Sequence, residues 1–148
     1  IDNNGYVGIG TITPSYTLDV IGDIGYTGAM VAYSDIRFKK DILPLSNSLK
    51  NLLKIQGVNY YWKTNEFPQK MFTTNKQIGF IAQDLEKIYP EIVFTNKEGY
   101  KSIDYSKITP ILVEAIKEQQ KQIENSNKEI QDLKILVNKL LENNKTSK

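Results

Sequence analysis

The sequence predicts an α+β fold in three zones, and three observations support this prediction. Most of the nine glycines lie in the first zone, between short alternating apolar segments. Short β-branched and aromatic runs alternate with helical patterns in the middle of the chain. A heptad repeat then occupies the C-terminal zone. We therefore expect a β-rich segment at 1–30, a small mixed α/β core at 31–106 and a coiled-coil helix at 107–148.

The composition excludes several classes of chemistry. The 148 residues include no Cys and no His, which excludes disulfides, cysteine-ligated zinc, thiol catalysis and a histidine base. Catalysis would have to use Ser, Lys, Asp, Glu, Tyr or the backbone. The net charge is +2 without a basic stripe, and no apolar run approaches the ~18 residues that span a bilayer. We expect no metal, no cofactor, no nucleic acid and no membrane partner.

The N-terminal zone is predicted to form short strands joined by turns. Apolar and polar residues alternate in Tyr6–Ile9 and in Tyr16–Val20. The run GYVGIGT has the glycines of a phosphate-binding loop, but such a loop must lead into a helix, and here Pro14 leads into another strand. The glycines are therefore predicted to form β-turns, at the end of a longer repetitive β-structure.

The core is predicted to contain two helices, two single strands and a hairpin. SDIRFKKDILPL opens a turn or short helix that Pro44 interrupts, and SNSLKNLLKI has a helical pattern with Ser46 as N-cap and Gly57 beyond its end. VNYYWKT is predicted to be a strand, QIGFIA a short buried strand, and QDLEKIY about two helical turns that stop at Pro90. EIVFTNKEGYKSID is predicted to be a hairpin with its turn at residues 96–99.

The C-terminal zone has a hydrophobic period of 3.5 residues, which is the pattern of a coiled coil. Polar d residues would weaken such a seam while fixing its register. The alternative is a helix packed on its own core, which would usually show a wider apolar stripe. Ile or Val at a with Leu at d favours two strands. The heptad seam comprises Ile116, Ile123, Ile130 and Val137 at a, with Leu112, Gln119, Ser126, Leu133 and Leu140 at d.

Two aromatic residues of the predicted VNYYWKT strand allow two interpretations. Tyr60 and Trp62 share a face of the strand, because alternate residues point to the same side. One interpretation is a stacking platform for a sugar or a base, and the other is packing in a core.

Ser34 and Lys39 also allow two interpretations. A Ser-Asp pair ahead of a helix is typical of a cap, and nearby Lys and Arg residues are typical of a solvated face. The alternative is catalytic, because a neutral lysine can take the proton of a serine hydroxyl. Arg37 would favour that neutral form as a neighbouring cation, and Phe38 would help to exclude water. Five residues do not align two side chains on a straight strand or helix, so this dyad needs a bend or two chains.

Three blocks of the sequence resemble the endosialidase-type C-terminal intramolecular chaperone family, whose members are also classed as self-cleaving serine peptidases. The first block is Ser34-Asp35-x-Arg37-x-Lys39 followed by Ile42. The second is GFIAQDLEKIYPEIV at residues 79–93, and the third is IDYSKITPILVEAIKEQQKQI at residues 103–123. The glycine-rich first zone resembles the β-rich segments that precede this domain in phage tail fibres and spikes.

The resemblance implies an elongated homotrimer with an N-terminal β-rich fibre stub, a chaperone core and a C-terminal coiled-coil helix. Such a domain trimerises and registers an upstream β-structured fibre or spike of the same polypeptide, and then releases itself. The implied cut lies between Tyr33 and Ser34, with Ser34 as nucleophile and Lys39 as base. The fibre or spike precursor would be assembled in the host cytoplasm and join the virion tail, with the chaperone part released after cleavage.

Asp35, Arg37 and Gln83 are candidate supporting residues, and Gln83 would orient the scissile carbonyl. Asp84 stands where the family more often has Glu, and we expect little effect from this departure. The alternative to a self-cleaving chaperone is a trimeric fibre tip that never cleaves, either purely structural or receptor-binding through Tyr60 and Trp62.

Overall fold

The computed structural model describes residues 1–146, and among these it contains six short strands and three α-helices. The strands pair as three separate two-stranded sheets. The fold is therefore mixed α/β with a long C-terminal helix. The elements are β1 (Val7–Ile9), β2 (Leu18–Val20), α1 (Ser48–Leu52), β3 (Val58–Tyr60), β4 (Gln77–Gly79), α2 (Ala82–Glu86), β5 (Val93–Thr95), β6 (Lys101–Ile103) and α3 (Ile108–Thr146).

The chain divides into two compact units. The first unit consists of Ile1–Pro44 and Ile55–Asp104, so it holds the six strands and α2. The second unit consists of Leu45–Lys54 and the chain from Tyr105 onward, so it holds α1 and α3. The motif around Ser34 belongs to the first unit.

Strands β1 and β2 lie where the alternating patterns predict strands, and they pair in parallel. Val7 lies opposite Leu18, and the amide of Ile21 donates a hydrogen bond to the carbonyl oxygen of Ile9 at 2.9 Å. Gly10 follows β1 with a φ of +73°, and a Cβ on this residue would lie 2.8 Å from the carbonyl oxygen of Ile21. Glycine is therefore required here both for the backbone angle and for the close approach of the two chain segments.

The predicted hairpin is confirmed as β5 and β6, which pair antiparallel. The side-chain oxygen of Asn96 accepts hydrogen bonds from the amides of Glu98 and Tyr100 at 3.0 and 2.9 Å. Gly99 has a φ of +85°, the left-handed conformation that favours glycine in a turn. These contacts join residues at most four positions apart, so the local sequence is sufficient to specify the turn.

The core of the first unit lies where α2 packs against the hairpin. Leu85 on α2 and Ile92 just before β5 are both buried. Lys101 on β6 donates a hydrogen bond to the carboxylate of Glu86 at 2.8 Å and thereby ties α2 to the same hairpin. The helix predicted for QDLEKIY is confirmed, although its α-helical part spans only Ala82–Glu86.

The two single strands predicted in the core are confirmed as the antiparallel pair β3 and β4, each shorter than its predicted segment. The prediction that QIGFIA is buried is wrong for part of the strand. Gly79 is buried, whereas 84% of Ile78 is exposed. Successive residues of a strand point to opposite faces, so the side of β4 that carries Ile78 is uncovered in this chain.

Helix α1 is confirmed, but the prediction that Ser46 caps it is wrong. The N-cap residue is Asn47. Its φ is 56°, in the left-handed region, and its side chain accepts no hydrogen bond from the helix. Instead, the carboxylate of Glu118 on α3 accepts hydrogen bonds from the amides of Ser48 and Leu49, both at 2.9 Å. A distant carboxylate therefore takes the place of a local hydroxyl, because α1 packs against α3.

The predicted C-terminal helix is confirmed as α3, and two of its faces differ in burial. Ile108, Ile111 and Ala115 are buried in the second unit. The apolar residues of the heptad seam lie about a quarter of a turn around the helix axis from this buried face, at 3.6 residues per turn. They are 40–61% exposed. Residues 147 and 148 of the predicted zone lie outside the described residues. None of the helices within residues 1–146 combines the length and apolar character that a bilayer crossing requires.

Candidate active site

The candidate site is a tight turn that the first sequence block forms, and we call residues 34–39 the Ser34–Lys39 turn. A 3-10 helix over Ile36–Phe38 bends the chain here, as the sequence predicts for this segment. The amide of Phe38 donates to the carbonyl oxygen of Asp35 at 3.1 Å, and the amide of Lys39 donates to that of Ile36 at 3.0 Å. The chain is extended again at Lys39. One turn of helix between two extended residues therefore folds the segment back on itself.

This bend brings Ser34 and Lys39 together. The ammonium nitrogen Nζ of Lys39 donates a hydrogen bond to Oγ of Ser34 at 2.8 Å. Both residues are exposed in the single chain. The bend supplies the approach that a straight strand or a straight helix does not allow at a separation of five residues. The pair thus has the distance that a serine nucleophile and a lysine base need for direct proton transfer.

Asp35 and Arg37 close the turn on its other side. The carboxylate of Asp35 accepts hydrogen bonds from the amide of Arg37 at 2.9 Å and from its guanidinium at 3.0 and 2.8 Å. The guanidinium and amide of Arg37 hold the pKa of Asp35 below its ordinary value of 3.8, and the carboxylate in turn raises the pKa of Arg37. The charge of Arg37 is therefore offset by Asp35, which weakens the expectation that Arg37 favours a neutral Lys39.

Sequence reasoning missed one contact of this turn, between Tyr33 and Phe38. Their ring centroids lie 6.0 Å apart with the ring planes at 84°, an edge-to-face arrangement. The signal that could have revealed it is the spacing. Tyr33 and Phe38 are separated by the same five positions as Ser34 and Lys39, so a bend that joins one pair also joins the other.

The structure does not join Gln83 to this turn. Gln83 lies exposed on α2, and within residues 1–146 no hydrogen bond connects its side chain to Tyr33 or Ser34. Its predicted action on the scissile carbonyl therefore stays a prediction.

Three aromatic residues pack on one another: Tyr60 at the end of β3, and Trp62 and Phe72 in the segment between β3 and β4. The ring of Trp62 stacks on Phe72 with centroids 4.1 Å apart and planes at 8°, and Tyr60 meets Trp62 edge-to-face at 5.0 Å. A sugar or a base that stacked on Trp62 would have to compete with Phe72 for one of its faces. These contacts favour packing within the chain over an open stacking platform.

Among the described residues, no group of acidic side chains is placed to hold a metal ion.

Comparisons with known proteins identify a family that matches the sequence around this turn. Residues 34–94 match the protein family described as chaperone of endosialidase. The long tail fibre protein Gp37 of Salmonella phage S16 is 30% identical over 107 residues, which cover 70% of this chain and 14% of that protein. Gp37 of Escherichia phage AR1 is 32% identical over 87 residues, and an uncharacterized protein of Dictyostelium discoideum is 30% identical over 83.

The chain spans 7–14% of the length of these relatives. The family match begins at Ser34 itself and extends through α2 into β5. It includes the Ser34–Lys39 turn and the second sequence block, and two of the matched relatives are phage tail fibre proteins. The chain therefore carries an endosialidase-type chaperone domain and belongs to the endosialidase chaperone family.

Proposed function

We propose that this chain is the self-cleaving chaperone end of a phage tail fibre, and that it cuts itself between Tyr33 and Ser34. The observation that carries the proposal is the hydrogen bond of 2.8 Å between Nζ of Lys39 and Oγ of Ser34. The family match from residue 34 and the tail fibre relatives support the chaperone part of the proposal. The serine–lysine pair supports the peptidase part.

In the proposed reaction, Oγ of Ser34 attacks the carbonyl carbon of Tyr33 while Lys39 takes the hydroxyl proton. The bond between the Tyr33 carbonyl carbon and the Ser34 nitrogen breaks, and that nitrogen takes the proton and leaves as an amine. An ester then joins the Tyr33 acyl group to Oγ of Ser34. Water hydrolyses this ester, which yields the carboxylate of Tyr33 and restores the serine hydroxyl. Asp35 and Arg37 support the reaction by holding the turn, and Gln83 is proposed to orient the scissile carbonyl.

We further propose that the chain acts as a homotrimer, held together by the heptad seam. The exposed apolar side chains of the seam offer a surface for other copies of α3, and the family resemblance favours three copies. Ser34 and Lys39 are exposed in one chain, so water reaches both side chains. Neighbouring copies would shield the pair, so cleavage would follow assembly and the chaperone would not be lost too early.

The proposed order of events has a physical reason. β-pairing between chains is slow, because loop-closure and association entropy oppose it before contacts form. A C-terminal coiled coil at residues 107–148 would raise the local concentration of the strands upstream. The core from Ser34 onward would leave with the coiled coil after the cut, while the β-rich stub at 1–30 and the residues up to Tyr33 would stay with the fibre. The trimeric fibre would then lack an easy route back to separate chains.

The experiment that tests this function is expression of the wild-type chain followed by a denaturing gel and N-terminal sequencing. We expect a fragment whose first residue is Ser34. A chain that forms a stable trimer and yet stays at full length would favour the alternative, a fibre tip that never cleaves.

A further inference from the structure

The peptide bond between Tyr33 and Ser34 is bracketed by two side-chain contacts of the same spacing. On its carboxyl side, the hydroxyl of Ser34 accepts a hydrogen bond from Lys39. On its amino side, the ring of Tyr33 meets the ring of Phe38 edge-to-face, with centroids 6.0 Å apart. Both residues that flank the bond are therefore held by consecutive residues of one turn, Phe38 and Lys39.

The backbone of Phe38 is fixed by the turn, and its side chain is 70% exposed and open to a neighbouring ring. Its amide donates to the carbonyl oxygen of Asp35 at 3.1 Å, and it ends the 3-10 helix that Asp35 caps. Tyr33, in contrast, belongs to no helix or strand, and 96% of it is exposed. The edge-to-face geometry is one of the favoured arrangements of an aromatic pair. The contact therefore joins the exposed ring of Tyr33 to a residue whose backbone is fixed.

We propose that Phe38 is a positioning and specificity-determining residue for the self-cleavage. This inference rests on the proposed function. The ring of Phe38 receives the aromatic side chain that precedes the cut, and so limits rotation of the scissile peptide while Lys39 holds the nucleophile. The side chain at position 33 is thereby bound by Phe38, which lies on the carboxyl side of the cut. The turn favours an aromatic residue at this position, because the contact joins two rings.

The test is a set of cleavage rates measured on the full chain by denaturing gel, with Tyr33→Phe, Tyr33→Leu, Phe38→Leu, Phe38→Tyr and the double variant Tyr33→Leu/Phe38→Leu. Tyr33→Phe and Phe38→Tyr should cut within twofold of wild type. Each leucine variant should cut about three- to tenfold more slowly, as expected for loss of one aromatic contact. The double variant should cut no more slowly than either single one, because both remove the same contact. Tyr26→Leu, which removes an exposed aromatic side chain outside the turn, is the control and should leave the rate unchanged.

The contact itself is checked without cleavage. In the Ser34→Ala background, Phe38→Leu should shift the ring-proton resonances of Tyr33, because a ring current is lost. The inference is overturned if these resonances stay in place, if Phe38→Leu cuts at the wild-type rate, or if the two leucine effects multiply in the double variant. A wild-type chain that assembles but never cuts would overturn the proposed function and this inference with it. A wild-type chain that cuts with no response to position 38 would overturn only the inference.

Discussion

Lys39 donates a hydrogen bond from Nζ to Oγ of Ser34 at 2.8 Å, across a turn of one 3-10 helix. The contact is local, since five positions separate the two residues, yet it exists only because the backbone bends between them. A second pair, Asp35 with Arg37, closes the same turn through a two-pronged ion pair. Variants of the first pair test the chemistry, and variants of the second pair test the geometry of the turn.

The nucleophile is tested by Ser34→Ala. We expect this variant to stay at full length and to remain folded and oligomeric, because the lost hydroxyl is exposed and contributes little packing. A denaturing gel and sedimentation measure the two properties. Ser46→Ala is the matched control, since Ser46 is exposed and does not cap α1, and it should be cut like wild type. Cleavage of Ser34→Ala before position 34 would show that another group is the nucleophile.

The base is tested by Lys39→Arg. Arginine keeps the positive charge but does not give up its proton near neutral pH, so we expect cleavage to be abolished. Lys40→Arg is the control and should cut normally. Unchanged cleavage in Lys39→Arg would point to Lys40 or to an acyl shift that needs no base.

The coupling between assembly and cleavage is tested by Ile123→Asp together with Ile130→Asp. Two acidic residues in the seam place like charges at the centre of a coiled coil, so association should be lost and cleavage should fall with it. The control is Lys121→Asp with Lys128→Asp, which places two aspartates on the outer face of the helix instead of in the seam. Sedimentation and a cleavage gel are run side by side. A monomer that cuts at the wild-type rate would refute gating by assembly while leaving the serine–lysine pair in place.

The turn itself is tested through the pKa of Asp35, which is lowered in the folded chain by its contacts with Arg37. A lowered pKa means that the ionised form is favoured by folding, so the contact is present above pH 3.8 and is lost as the pH falls below it through the lowered pKa. An NMR titration of the Asp35 carboxyl carbon measures this midpoint. Arg37→Lys keeps the charge without the two-pronged geometry and should move the midpoint back toward 3.8. An unchanged midpoint would show that the pair does not hold the turn.

The cap of α1 is tested by Glu118→Ala. Loss of the carboxylate leaves the amides of Ser48 and Leu49 without their partner, and Ser48 is buried. We expect a loss of about 1–3 kcal/mol in the free energy of unfolding, as for hydrogen bonds to a charged group. Urea unfolding at a fixed protein concentration measures it, because stability of an oligomer depends on concentration. Glu124→Ala lies further along α3 in an exposed stretch and should cost less than about 0.5 kcal/mol.

The local sequence was sufficient for the elements whose contacts are short in range. The hairpin turn is an example, since Asn96 supplies its own acceptor to the amides of Glu98 and Tyr100. The C-terminal helix is another, because a heptad repeat over several turns is a long and regular signal. The motif around Ser34 also named the two members of the candidate pair, and its spacing required either a bend between them or two chains.

Contacts over a long range could not be predicted in this way. Ser46 has the side chain of an N-cap, but the acceptor that caps α1 is Glu118, which lies 70 positions from Ser48. The exposure of Ile78 likewise depends on what packs on its face of the sheet, which the local sequence does not specify.

The sequence by itself therefore determined the type and order of the elements, the family, and the residues of the candidate pair. Only the tertiary structure decided that the pair lies within hydrogen-bonding distance, that Asp35 holds Arg37, and that Phe38 meets Tyr33. The physical reason is that residue type and spacing specify backbone preference over a few positions. The direction in which each side chain points, in contrast, depends on the bend of the whole turn and on what the rest of the chain packs against it.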